Sequence, residues 1–282
     1  MVKKPTILFF IFILSIAYVN AFAADLKVLE ERTFQISPGK NLKVEASSGD
    51  VKVTSWDKNE VYIKILGNSK AEDKVKFDFY NDEDKVEVVA KREHSFFGWF
   101  SSGIRLKFEI KVPIKFNEKI KTSGGDVYTK NISGNLKIST SGGDISIENV
   151  NGVFDLSTSG GDISSMNFQG DFEASTSGGD INLRGSDSKI SASTSGGDIY
   201  LDYKGINKGI DLSTSGGDIQ IRLPQDFNAT ANMHTSGGSI SCDLTANHAK
   251  KISSTRFEAD LNNGGNPLYV KTSGGDIDIM SK

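Results

Sequence analysis

A single cysteine, Cys242, stands in 282 residues, so no internal disulfide can hold this chain together. Packing and backbone hydrogen bonds must do so instead. Histidine is nearly as rare. His94, His234 and His248 are scattered, and neither HExxH nor a nucleophile elbow occurs. Charge of one sign is also missing: 33 Lys and Arg face 36 Asp and Glu, which leaves no basic field for nucleic acid. Proline is scarce at 5 beside 29 glycines, a balance suited to tight turns more than to a disordered linker. Apart from residues 7–19, no apolar run approaches membrane length.

That one run follows a basic MVKK and ends at Ala21-Phe22-Ala23. A short charged head, an apolar stretch and small residues at −3 and −1 predict a secretory signal peptide over residues 1–23. No cysteine lies near the cleavage point to carry a lipid. The expectation is an exported protein with no integral membrane span after cleavage, placed in the periplasm, at the cell surface or outside.

What the chain has in abundance is one phrase. TSGGDI occurs first at Thr140–Ile145 and five more times, with TSGGDV and TSGGSI as variants. The threonines are Thr122, Thr140, Thr158, Thr176, Thr194, Thr214, Thr235 and Thr272, at intervals of 18, 18, 18, 18, 20, 21 and 37 residues. The last gap reads as two periods with one diverged coil through TRFEADLNNGG. An early relative, SSGDVKV, begins at Ser47.

Aligned on the threonine, apolar residues recur four and two positions before it and five after it. Leu136, Ile138 and Ile145 do so around Thr140; Phe154, Leu156 and Ile163 do so around Thr158. Within each segment they alternate with Ser, Asp, Lys or Asn, the mark of strands with one buried face. Gly-Gly supplies one bend, by tolerating positive φ, and Gly134, Gly152 and Gly170 mark the other. An 18-residue unit cannot bury its apolar side alone, whereas stacked copies can. A β-sandwich has no reason to repeat six residues at a fixed step. The prediction is an all-β parallel β-solenoid, right-handed by the general rule for parallel crossovers. Residues 24–121 read as an irregular N-terminal β region or cap, 122–282 as the repeat solenoid, and DIDIMSK as the far end of the rod.

The T-S-G-G-D-[IV] turns, SSGDVKVTSWDKNEVYI, KVPIKF and the closing NNGGNPLYVKTSGGDIDI resemble a bacterial family of proposed adhesins, the DUF4097-type domain of unknown function. The resemblance covers nearly the whole chain after residue 23. It implies an exported β-helical protein without a defined biochemical activity.

Two features are candidate sites. Asp126, Asp144, Asp162, Asp180, Asp198, Asp218 and Asp276 share one repeat position, so stacking sets carboxylates about one strand spacing apart. Each such pair repels by roughly 1 kcal/mol in a water-like dielectric. Asx turns, with each Asp accepting backbone N–H groups at its own turn, would relieve this. A row of calcium ions in the manner of a β-roll is the alternative, matched by the 18-residue period but not by the GGxGxDxUx motif. Ser239 replaces the aspartate in one copy. The second feature is aromatic: Phe96, Phe97, Trp99 and Phe100 lie within five residues, as a partner contact or as a plug over the rod end.

No catalytic residue, metal ligand or cofactor is expected. Cys242 falls at an inward repeat position, and His234 at an outward one. The TSGGD turn lacks the lysine and helix of a phosphate loop, and a polysaccharide-acting enzyme would need a singular acidic cleft instead of a monotonous ladder. The function expected is a non-enzymatic adhesin-like or scaffolding rod of the envelope whose partner is an envelope protein or a glycan.

Overall fold

The computed structural model describes residues 26–92 and 103–282. The expected signal segment and the aromatic run Phe96, Phe97, Trp99 and Phe100 lie outside the described residues. The chain is an all-β parallel solenoid, because the repeat stacks in register. Leu136 pairs with Phe154, Ile138 with Leu156 and Ser139 with Ser157. On the opposite face Ile145 pairs with Ile163, which pairs with Ile181, which pairs with Ile199. Each coil therefore contributes a strand to each of two facing stacks, and the alternating apolar residues meet between them. Leu136, Ile138, Ile145, Phe154, Leu156 and Ile163 are all buried. Each aliphatic side chain so buried contributes about 1.5–3 kcal/mol. Spread along the rod, this interior supplies the cohesion that disulfides would otherwise give.

The order of coils in space departs from their order in sequence at both ends. Asn41–Ala46 lies between Lys85–Arg92 and Asn117–Thr122, parallel to both. Asp50–Trp56 likewise lies between Leu106–Pro113 and Val127–Lys130. At the other end the final strands slide inward. Pro267–Lys271 sits between Ile210–Ser213 and Ala229–His234, and Ile277–Ser281 between Ile219–Leu223 and Ile240–Cys242. DIDIMSK is thus an interior rung, not the end of the rod. The supposed diverged coil is no coil either. Arg256–Leu261 runs antiparallel on Ala229–His234, and Ala246–Ile252 covers it in turn.

Antiparallel strands cap the opposite end. Glu60–Gly67 covers Leu106–Pro113, Lys27–Gln35 covers Glu60–Gly67, and Val75–Asn81 covers Lys85–Arg92. A short helix, Ser69–Lys74, leads into this cover, with Asn68 Oδ1 accepting the Ala71 N–H at 3.1 Å as its N-cap. The outer strands KVLEERTFQ and ANHAKKI carry charges that blunt edge-to-edge pairing.

The corners also differ from expectation. No glycine of the TSGG pairs has positive φ. The second glycine is required for another reason: a Cβ on Gly161 would lie on the Gly143 carbonyl of the preceding coil, and the same holds up the stack. At the opposite corner the left-handed residues are Asn131, Asn149, Asn167 and Asp187, with φ of 61°, 54°, 58° and 48°. Asparagine tolerates that conformation better than most residues. Gly152 and Gly170 follow Asn149 and Asn167 three positions on, with positive φ and no room for a side chain.

One polar pair interrupts the interior. Glu118 occupies the column of Leu42 and Leu136 and is 3 % exposed. Thr129, in the facing column of Val53 and Ile147, donates its hydroxyl to Glu118 Oε2 at 2.9 Å. Glu118 Oε1 is buried without a partner among the described residues. Burial in this apolar setting pushes the carboxyl pKa up to about 8.

The packing makes two expectations measurable. Gly161→Ala is expected to cost about 2–3 kcal/mol. Gly160→Ala, whose added methyl would meet the Ser141 carbonyl no closer than 3.8 Å, should stay within about 0.5 kcal/mol of wild type. Equal urea midpoints for the two would contradict this account of the GG pair. For Glu118, a folded pKa above the unfolded one gives stability that is greatest below the usual carboxyl pKa. It declines as pH rises from there to about 8. Glu118→Leu should be more stable than wild type at pH 8.5, by up to about 5 kcal/mol. Its advantage should shrink toward pH 4, as measured by urea unfolding at both pH values.

Candidate functional site

The repeated turn lines its polar side chains up coil over coil, and its six letters have separate duties. The threonine is buried and acts as a staple. Thr158 Oγ1 donates to the Gly143 carbonyl of the preceding coil at 2.9 Å and accepts the Gly161 N–H of its own turn at 3.3 Å. Thr176, Thr194 and Thr214 repeat both bonds. The serine and first glycine are exposed, the second glycine has no room for Cβ, and the isoleucine enters the core.

The aspartate joins coils instead of closing its own turn. Asp126 Oδ1 accepts the Asp144 N–H at 2.9 Å, and Asp144 Oδ1 accepts the Asp162 N–H at 2.8 Å. The chain of bonds continues through Asp180, Asp198, Asp218 and Asp276, each at 2.8 Å. Asp50, in the early SSGD relative, begins it by accepting the Asp126 N–H at 3.1 Å. The expectation of Asx turns within each loop is corrected here. Each of these carboxylates is held by an N–H one coil away. Hydrogen bonds to charged groups are worth about 1.5–3 kcal/mol, enough to offset the repulsion between neighbouring rungs.

Ser239 then has a physical explanation. It follows Asp276 in space although it precedes it in sequence, and its N–H and hydroxyl both donate to Asp276 Oδ1, at 2.7 and 3.0 Å. Its coil is the last in the stack, so no further N–H needs an acceptor. A residue that donates suffices there.

At the corner opposite this ladder runs a second one, outside the apolar positions by which the repeat was read. Asn149 Nδ2 donates to Asn131 Oδ1 at 3.0 Å, and Asn167 Nδ2 to Asn149 Oδ1 at 2.9 Å. Its signal in the sequence is an Asn nine residues past each of Thr122, Thr140 and Thr158. The glycine three positions later masks that signal, because a glycine alone suffices to turn a chain.

The remaining candidates are dispersed. Cys242 points inward beside Ile279 and is half-buried in the terminal coil, where burial raises its thiol pKa. His234 lies half-buried with Nδ1 3.1 Å from the Thr255 carbonyl, and His248 is 3.3 Å from Asp260. Among the described residues no group of three or more His, Cys, Asp or Glu is placed to hold a metal ion. No helix among them is long and apolar enough to cross a membrane.

Comparison with known proteins gives one extensive match by sequence. The family model described as Toastrack DUF4097 matches residues 39–280. No curated protein matches. Solved structures of similar extent include a proposed adhesin of Bacteroides fragilis NCTC 9343, at 14 % identity, covering 91 % of this chain and 98 % of that one with a TM-score of 0.47. A proposed lipid binding protein of Parabacteroides distasonis ATCC 8503 is 14 % identical, covering 91 % and 97 %, with a TM-score of 0.41. A proposed cell adhesion protein of Clostridium sporogenes ATCC 15579 is 13 % identical, covering 91 % and 100 %, with a TM-score of 0.32.

The inter-coil role of the aspartates separates their oxygen from their charge. Asp162→Asn keeps an acceptor for the Asp180 N–H and removes repulsion, so it should stay within about 0.5 kcal/mol of wild type. Asp162→Ala should cost about 1–2 kcal/mol. Chelator should shift neither unfolding midpoint. A loss equal in both variants, or a fall on chelation, would favour a cation ladder.

Proposed function

The chain belongs to the Toastrack DUF4097 family, and on that premise we propose that it is an exported, non-enzymatic rod of the bacterial envelope. It acts by presenting its surface, as an adhesin-like or scaffolding module. The observation that carries this reading is the use made of the repeat. In each TSGGD copy from Thr158 to Thr214 the threonine hydroxyl and one aspartate oxygen are bonded within the stack. Chemistry repeated this often and tied up this fully serves stiffness. Stiffness in turn fixes the spacing of everything on the outside.

Export is supported by the charged head, apolar run and Ala21-Phe22-Ala23 at the start of the sequence. An exported protein with one cysteine needs another source of cohesion, and the stapled stack supplies it. The partner belongs to the envelope, as a protein or a glycan. The run Phe96, Phe97, Trp99 and Phe100 has the composition of a contact point.

Fractionation and terminal sequencing test the reading together. The protein is expected outside the cytoplasm, beginning at Ala24. Recovery from the cytoplasm with residues 1–23 attached would overturn it. Protease added to intact and then permeabilised cells separates its two forms: digestion of intact cells favours the adhesin, and protection until permeabilisation favours the internal scaffold.

A further inference from the structure

Along the corner opposite the TSGGD turns the solenoid carries an open groove parallel to its axis. It runs from Ile114 and Ser133 at one end to Asp202 and Lys204 at the other. The coil that begins at Thr194 has 20 residues, and the extra ones form the corner loop Gly205–Gly209, where Ile206 is 73 % exposed. The preceding coils have 18 residues and shorter corners. On the other side the linking residue Ile114, 54 % exposed, stands proud of them.

Two polar columns border the groove. One is the ladder Asn131, Asn149 and Asn167. The other is Ser133, Asn151, Gln169 and Ser186, joined rung to rung by the strand register. They stand two residues apart, about 6.6 Å, on either side of the buried Ile132, Val150 and Phe168. Their hydrogen-bonding capacity is unequally used. Asn151 and Ser133 make no side-chain hydrogen bond among the described residues, and Gln169 spends only its Nε2 on Ser186 at 3.2 Å. Backbone groups are occupied: the Asn131 N–H goes to the Glu148 carbonyl at 2.9 Å and the Asn151 N–H to the Ile132 carbonyl at 3.1 Å.

Charges at the margin are mostly paired inside the protein. Glu148 accepts from Lys130 and Tyr128, Arg184 lies over the Tyr200 ring, and Asp202 is held by Lys282. Lys204 at one end is the exception among the described residues. Met166, 44 % exposed, adds an apolar patch beside the amides.

We propose that this groove binds a linear, uncharged oligosaccharide laid along the rod with about one sugar per coil, a step that rests on the surface-presenting function proposed above. Amides offer a donor and an acceptor side by side, as the adjacent hydroxyls of a sugar ring do. The coil step of about 4.8 Å is close to the length of one pyranose unit. From Ser133 to Lys204 the groove spans about four such steps, roughly 19 Å. An extended peptide fits less well. Its side chains on one face recur about every 6.7 Å, out of step with the coils, and it would find no free strand edge to pair with. The apolar surfaces of Met166 and Ile114 suit the C–H faces of the sugars.

The test uses the protein from Ala24 onward with three probes, each titrated alone by calorimetry: cellohexaose, chitohexaose and mannohexaose. At least one is expected to bind, and the double substitution N151A/Q169A to weaken it tenfold or more. S195A, an exposed serine on the opposite edge, should leave it unchanged. Because Asn151 and Gln169 are exposed, the double variant should unfold at the wild-type midpoint, which separates lost contacts from lost fold. Binding equal in wild type and N151A/Q169A would overturn the groove as the site while leaving the surface function intact. Failure of all three sugars to bind would overturn the ligand class, and the fractionation result would still stand on its own.

Discussion

Everything regular in this protein depends on a hydrogen bond handed from one coil to the next: the aspartate carboxylate of one turn accepts the N–H of the aspartate above it. The same turn sends its threonine hydroxyl down to the glycine carbonyl below. Each TSGGD is therefore bonded on both sides, and a coil inserted out of step would break bonds in two directions. The apolar interior is tolerant by comparison, because Ile, Leu, Val, Phe and Ala all occupy its columns. Register is set at the edge, by polar groups with direction, while cohesion comes from the middle.

The ends show how such a stack is closed. A solenoid built in simple sequence order would expose its first and last strands, each with a row of unpaired N–H and C=O groups. Here the first and last TSGGD-like coils are each drawn one rung inward, and internal segments lie outside them. Unravelling from either end must then begin with antiparallel covers. Glu118 runs against this pattern of stabilisation. Its carboxyl sits between Leu42 and Leu136 with one hydroxyl for company, and it makes the interior sensitive to pH.

Much of this architecture is legible in the amino-acid sequence. The period, the inward residues, the parallel stack and the family are all carried by residues that repeat, and repetition is visible in one dimension. The reason for each letter is less accessible. The GG pair reads as a turn needing positive φ, yet its second glycine answers to the carbonyl of a neighbouring coil. Asn131, Asn149 and Asn167 carry no turn signal as plain as the glycine three positions on, although they make the corner. In both instances the cause lies 18 residues away along the chain and one strand away in space.

That the chain is an in-register β-solenoid follows from its letters alone, since only stacking gives identical turns and alternating apolar residues at a fixed step a common use. The order of the rungs does not follow from them; it is settled in three dimensions. Local propensities make Thr235 and Thr272 equivalent turns, and nothing in either says which is outermost. That choice depends on the hairpin of residues 246–261 having room to cover Ala229–His234, and on a last rung that needs no acceptor. Ser239 carries the trace of that choice, and it becomes intelligible once Asp276 is seen beneath it.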